Sequence, residues 1–127
     1  MTKIPINYSN TVIYKIVCND LLITDVYVGS TTDFIKRKYL HKSDCNNINR
    51  KSYNEKKYII IRANGGWNNW SMIEVEKYPC NDNNEARARE RYWFELINAN
   101  MNTIKPFITE DEKLKYKKEY KELNEFV

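Results

Sequence analysis

Two strand-like runs set close together constrain this chain more than any other feature. Thr11-Val12-Ile13-Tyr14-Lys15-Ile16-Val17-Cys18 is β-branched and apolar, and Ile23-Thr24-Asp25-Val26-Tyr27-Val28 alternates apolar with polar residues before Val26. Asn19-Asp20 between them is a turn pair, so the spacing predicts a β-hairpin whose second strand ends at Gly29. Side chains alternate faces along a strand, so Tyr14 and Tyr27 share one face at neighbouring positions of that hairpin.

Thr31-Thr32-Asp33 supplies capping residues, which predicts a helix starting near Thr32 or Asp33. Arg37 and His41 lie four apart on it, one above the other on the same face. Further on, Lys51 to Ala63 reads as a second helix stopped by Asn64-Gly65-Gly66, and Ser71 to Tyr78 as a third strand ended by Pro79. Asn81 to Asn84 caps a helix running from about Glu85 to Ala99. Glu110 to Glu125 is dense in charge, with Leu114, Tyr116, Tyr120, Leu123 and Phe126 scattered along it, and reads as a solvated helix with a thin apolar stripe. The expected class is α+β: a small three-stranded antiparallel sheet flanked by helices, with a charged C-terminal helix. The expected organisation is an N-terminal arm at 1–10, one domain at 11–108 and the charged helix at 109–127.

With 127 residues the chain fits one domain able to bury about two-thirds of the surface its unfolded form exposes. Cys18, Cys45 and Cys80 are odd in number and lack metal spacing, which reads as free thiols in a reducing, intracellular compartment. There is no eighteen-residue apolar run and no basic-then-apolar leader, so neither a membrane span nor a secretory signal is expected. Residues 110–125 carry a net charge of −1, which leaves +5 on residues 1–109. The basic excess therefore belongs to the part that holds the tyrosines, as expected of a surface that meets phosphates.

Two phenols, a guanidinium and the only imidazole, gathered within residues 14–41, suit work on a phosphodiester better than they suit a core. Here the sequence resembles the GIY-YIG nuclease family. The first motif stands as Val12-Ile13-Tyr14 and the second as Tyr27-Val28-Gly29, followed by Arg37 and His41, by Glu90 in a later helix, and by Asn102 ahead of Pro106. The order matches over roughly residues 11–106. Within the family it is similar to free-standing proteins of large DNA viruses, through residues 14–20 and the Trp67-Asn68-Asn69-Trp70-Ser71 region.

The resemblance implies a divalent-metal-dependent DNA endonuclease using one Mg²⁺ or Mn²⁺ ion, with Tyr14, Tyr27, Arg37, His41, Glu90 and Asn102 as its site and Glu90 as the metal-binding residue. Helical spacing singles out the same carboxylate, since Ala86, Trp93 and Ile97 lie at i−4, i+3 and i+7 from Glu90. A carboxylate on an inward face needs a cation or donors, and one carboxylate plus waters and a phosphate is the usual habit of Mg²⁺. A salt bridge to Arg37 or to an arginine of its own helix is the plainer alternative. A tyrosine general base needs a lowered pKa, for which Lys15, Arg37 and the metal are the available cations. Tyr14 takes that role, with Tyr27 hydrogen-bonded nearby, Arg37 neutralises charge on the phosphorane, and His41 is a proton acceptor or shuttle, or a partner of the Tyr27 hydroxyl.

Each of these residues has a plainer reading by itself: packing rings for the tyrosines, solvated charge for Arg37, a packed or surface ring for His41, a turn cap for Asn102. Lys15, Lys36, Lys38, Lys42, Arg50 and Lys51, with Lys56 and Lys57 further along, form the expected DNA-contacting stripe. A non-catalytic nucleic-acid-binding module on the same fold, and a protein-interaction domain using the tail's apolar stripe, are the two other classes these residues admit. No second DNA-reading domain is recognised, which leaves sequence specificity and subunit number open; a homodimer, or an additional C-terminal domain in a longer protein that does the reading, are the partners the sequence admits besides DNA.

Overall fold

The computed structural model describes residues 4–102 and 110–125. Three strands, β1 (Val12–Cys18), β2 (Val26–Thr31) and β3 (Trp70–Lys77), form one sheet in the order β2-β1-β3. Both pairings are antiparallel. Four helices flank the sheet: α1 (Phe34–Asn46), α2 (Lys56–Ala63), α3 (Asn83–Ile97) and α4 (Glu110–Glu125). The α+β class and the three-stranded antiparallel sheet are those expected. None of the described helices is long and apolar enough to cross a membrane. The expected end of the main domain at residue 108, Pro106 beyond Asn102, the first three residues of the arm, and the tail side chains of Tyr116, Tyr120, Leu123 and Phe126 lie outside the described residues.

The apolar β1 run sits in the middle because both of its faces are covered. On one face Tyr14, Ile16 and Cys18 pack with Met72, with Cys45 of α1, with Tyr58 and Ile61 of α2, and with Trp67. On the other face Ile13, Val26 and Val28 meet Trp93, Phe94 and Ile97 of α3. Burying each large side chain contributes roughly 1.5–3 kcal/mol, so the two clusters fix the register on both sides of the sheet.

The hairpin differs from the expected one. Its second strand runs from Val26 to Thr31 rather than from Ile23, and the connection is a loop of residues 19–25 in place of a two-residue turn. Cys18 pairs with Trp70 of β3, and Asn19 N–H donates to Asn69 at 2.8 Å, so β1 outlasts its partner β2 at that end. Asp20 then ties the loop by accepting from the Leu22 and Ile23 amides. Gly29 does not end the strand: it lies inside β2 opposite Tyr14. A Cβ at residue 29 would stand 2.5 Å from the Tyr14 oxygen, so glycine is needed there to let the Tyr14 ring lie against the strand.

The second helix is shorter than the expected 51–63. Residues 49–55 form successive turns, and Arg62 reaches back to the carbonyls of Cys45 (2.8 Å) at the end of α1 and Tyr53 (2.7 Å) in the loop. Local spacing near Tyr53 mimics a helical period, but the Tyr53 carbonyl is bonded to Arg62 instead of to a helical amide. The other starts follow their caps. Asp33 accepts from Lys36 N–H at 3.1 Å, and Asp82 accepts from Glu85 N–H at 2.9 Å, so α3 begins at Asn83. It ends where Asn98 turns left-handed at φ 62°. The Arg91 guanidinium then holds both oxygens of Glu112, at 2.9 and 3.2 Å, and ties α4 to α3.

Candidate active site

Register places Tyr14 opposite Gly29 and Ile16 opposite Tyr27, which makes the two tyrosines diagonal neighbours on one face with ring centroids 6.3 Å apart. Phe34, at the start of α1, packs edge-on against Tyr14. One and two turns further along α1, Arg37 and His41 face the same rings. His41 is fully buried, with the Trp67 ring stacked on it. Its Nε2 lies 2.7 Å from the Tyr14 hydroxyl and its Nδ1 lies 2.6 Å from the hydroxyl of Tyr58. The expected option of a His41 bond to Tyr27 is therefore replaced: Tyr27 touches His41 through its ring, at 5.8 Å between centroids, while both ring nitrogens go to other phenols.

Burial dominates the electrostatics of this cluster. It pushes the Tyr14 phenol well above the usual tyrosine range, reinforced by Tyr27 and only partly offset by the charge and hydrogen bond of Arg37, so the lowered pKa expected of a tyrosine base is not found: desolvation outweighs the one cation beside it. Burial and then Glu90 raise Tyr27. For His41, burial, then Arg37, then Lys57 depress the imidazole to about 3, so the ring is neutral at physiological pH. Arg37 is a firm cation: burial opposes its charge, but the phenols of Tyr14, Tyr27 and Tyr58 outweigh that.

Lys15 does not take the part expected of it. It alternates away from Tyr14 onto the α3 face of β1, and the cations near the tyrosines are Arg37 and Lys57. Lys57 is buried, with its ammonium 5.0 Å from the Tyr27 ring centroid and 4.7 Å from that of Tyr58, paired to Glu55.

Glu90 comes to the site from the other side of the sheet. Its helix packs against β2, the edge strand, and its carboxylate is buried, at 7% exposure. Ser30 donates its hydroxyl to Oε1 at 2.8 Å. Burial raises the carboxyl above its ordinary value, against the pull of Ser30, Arg87 and Arg37. The plainer alternative of a salt bridge is not what is found: among the described residues Arg89 pairs with Glu76, Arg91 with Glu95 and Glu112, and Arg37 acts on Glu90 only through its charge. A cleft of about 200 Å³ lined by Tyr8, Thr11, Ser30, Thr31, Thr32 and Asn83 opens beside this pair, with Ala86 one turn below Glu90 on its wall. No group of three or more His, Cys, Asp or Glu side chains suited to a metal occurs among the described residues. A single desolvated carboxylate with a hydroxyl beside it fits Mg²⁺, which keeps waters and takes phosphate oxygens for its other positions.

Asn102 lies on the outer edge of β2. Its amide donates to Val28 O at 2.8 Å and its oxygen accepts from Val28 N–H at 3.1 Å, while Asn100 does similar work at Val26. It stands in for a fourth strand and so steadies the strand that carries Tyr27 and Ser30. Of the expected basic stripe, Lys36, Lys38, Lys42 and Lys51 are exposed, and Arg50 spends its Nε on Asp44 at 2.9 Å. Sequence reasoning missed Tyr58, Asp44 and Ser30. Nothing marked Tyr58 among ten tyrosines, while Ser30 followed directly on the second motif and was within reach of inspection.

Comparison with known proteins agrees with this geometry at the level of family. A profile described as the GIY-YIG catalytic domain matches residues 10–105. Neither the curated proteins nor the solved structures gave a match.

Proposed function

Since the chain belongs to the GIY-YIG catalytic domain family, whose domains are nuclease domains as a class, we propose that it is a divalent-metal-dependent endonuclease that hydrolyses DNA phosphodiester bonds. The observation that carries this reading is the convergence of Tyr14, Arg37 and Glu90 at the β2 edge, where the missing side chain at residue 29 lets the Tyr14 hydroxyl lie against the strand. Glu90, with Ser30 beside it, would hold one Mg²⁺ or Mn²⁺, which when bound supplies Lewis-acid polarisation of the scissile phosphate and neutralises the leaving oxygen.

This chain's own residues do the rest. Tyr14 acts as the base for the attacking water; because burial keeps its phenol protonated, it must first give up its own proton, which His41 Nε2, 2.7 Å away, takes, with Arg37 steadying the phenolate. Arg37 presents a fixed fork to the charge that builds on the phosphate oxygens. Tyr27 holds Tyr14 in place from the adjacent register position. Lys36, Lys38, Lys42 and Lys51 offer exposed cations to the DNA backbone from α1 and the loop after it. The three free thiols are in keeping with a reducing compartment. Incubation of the purified chain with supercoiled plasmid, with and without Mg²⁺ or Mn²⁺, is the test. Relaxation or linearisation that requires metal is expected, and intact plasmid under all conditions would remove the nuclease reading.

A further inference from the structure

The two ring nitrogens of His41 each meet a phenol, and only one of these phenols faces the proposed chemistry. Its Nδ1 lies 2.6 Å from the Tyr58 hydroxyl, and that hydroxyl in turn lies 3.5 Å from Asp44 Oδ2. Tyr14, His41 and Tyr58 are 1% exposed or less, so no water competes along this line. Asp44 is the first group on it to reach the surface, its side chain 11% exposed and its other oxygen held by Arg50, which is 45% exposed.

A carboxylate only accepts hydrogen bonds, and this fixes the direction of every link. Tyr58 donates to Asp44, His41 Nδ1–H donates to Tyr58, and Tyr14 donates to His41 Nε2. Resting on the nuclease reading, we propose that these bonds form a proton relay that carries the Tyr14 proton to Asp44 while the imidazole stays neutral and only exchanges tautomers.

The steps balance. The Tyr14 O–H bond breaks as Nε2–H forms, Nδ1–H breaks as a new Tyr58 O–H forms, and the original Tyr58 O–H breaks as Asp44 Oδ2–H forms. The result is a phenolate at Tyr14, which burial opposes and the charge and hydrogen bond of Arg37 support, and a carboxylic acid at Asp44, with one negative charge moved from the rim to the site. Asp44 then returns its proton to solvent. A relay solves a problem that simple acceptance by His41 does not. Arg37 from α1 and Lys57 from α2 both face the ring, together with Tyr14 and Tyr27 from the sheet and Tyr58 from α2, while the acidic Asp44 and Glu55 stand behind Tyr58 and Lys57. An imidazolium between two cations in a dry site is strongly disfavoured, whereas tautomer exchange creates none. Tyr58 and Asp44 act through His41 and Tyr14 and are positioning residues in that sense.

His41 is the only histidine, so its two ring nitrogens give unambiguous signals in a ¹⁵N spectrum of the full chain. The relay requires the Nδ1–H tautomer, uncharged between about pH 5 and 9. An Nε2–H tautomer in the wild type overturns it, whether or not the protein cuts DNA. Asp44→Asn replaces an acceptor-only carboxylate with an amide that can offer Tyr58 its oxygen or its NH₂, so the direction is no longer fixed and both tautomers should be populated, which a merely structural role would not do. In plasmid cleavage, Tyr58→Phe and Asp44→Asn should each slow the reaction on the order of tenfold or more, with KM for DNA unchanged within about twofold. The solvent-deuterium proton inventory should be curved in the wild type and linear in Tyr58→Phe. Wild-type rates in either folded variant overturn the relay, and Asp44→Asn serves alone should Tyr58→Phe fail to fold. A wild type that never cuts with either metal sinks the nuclease reading instead, and the tautomer measurement still decides the relay.

Discussion

The two faces of the sheet treat their ionisable groups in opposite ways. On the α1–α2 face, Tyr14, His41 and Tyr58 are sealed from water and joined by bonds of 2.7 and 2.6 Å, so each polar atom has a fixed partner. On the α3 face, Glu90 is nearly as buried but is held by Ser30 and adjoins an open cleft. Buried polar groups that are fully paired are rigid, whereas a desolvated carboxylate lacking an ion pair keeps unspent affinity for a cation. The first arrangement suits protons passed between fixed partners, the second a ligand yet to come. Only the edge strand β2 separates them, and its glycine at 29 lets them meet.

The comparison breaks most completely at Glu90. Glu90→Gln keeps the side-chain shape and removes the charge, so metal-dependent cleavage should be lost while folding and DNA binding persist. A metal titration of the cleavage rate checks this, and near-normal activity at ordinary Mg²⁺ would remove Glu90 from the site. Next come Arg37→Ala and Tyr14→Phe, each expected to slow cleavage by a factor on the order of a hundred or more. Because both serve one step, the double variant should lose less than the product of the two losses. A multiplicative outcome in the double-mutant cycle would assign at least one of them to the fold alone.

Gly29→Ala tests the join between the faces. The added methyl would stand 2.5 Å from the Tyr14 oxygen and 2.6 Å from Cζ, and a Tyr14 ring that is 1% exposed has little room to yield. Cleavage should fall about tenfold or more, and overpacking should cost roughly 1–3 kcal/mol in denaturant unfolding. An unchanged protein would show that the Tyr14 ring moves freely. The paired face also has a pH signature. His41 is neutral in the fold down to about pH 3, whereas the unfolded chain binds that proton near 6.5. Stability is therefore lost as pH falls through that window, by up to roughly 1.4 kcal/mol per pH unit. Denaturation curves from pH 7 to 4 should show a gentler slope in His41→Gln than in the wild type.

The smallest expected effect concerns DNA itself. With exposed lysines at 36, 38, 42 and 51 as the contacts, binding should weaken steeply with salt and differ little between unrelated duplexes. Fluorescence anisotropy across a salt series measures both. A salt-resistant, sequence-selective complex would point to a base-reading surface elsewhere.

Local pattern was enough for the elements that have local causes. The β-branched 11–18 run, the caps at Asp33 and Asp82, and the α3 face bearing Ala86, Glu90, Trp93 and Ile97 were legible because alternation and helical period are properties of neighbouring residues. They sufficed for the α+β class, for the diagonal pairing of Tyr14 with Tyr27, and for the burial of Glu90. The extent of β2, the length of α2 and the partners of His41 were not legible, because each depends on groups distant in sequence. Asn100 and Asn102 complete the β2 edge from 74 residues away, Arg62 takes up the Tyr53 carbonyl ahead of α2, and Tyr58 meets His41 across 17 residues. A single histidine or tyrosine carries no periodicity by which its partner can be read. Sequence determined which residues are available for chemistry; packing of α1 against β1 and α2 decided which phenols bond to His41, because hydrogen bonds are chosen by what burial brings within reach.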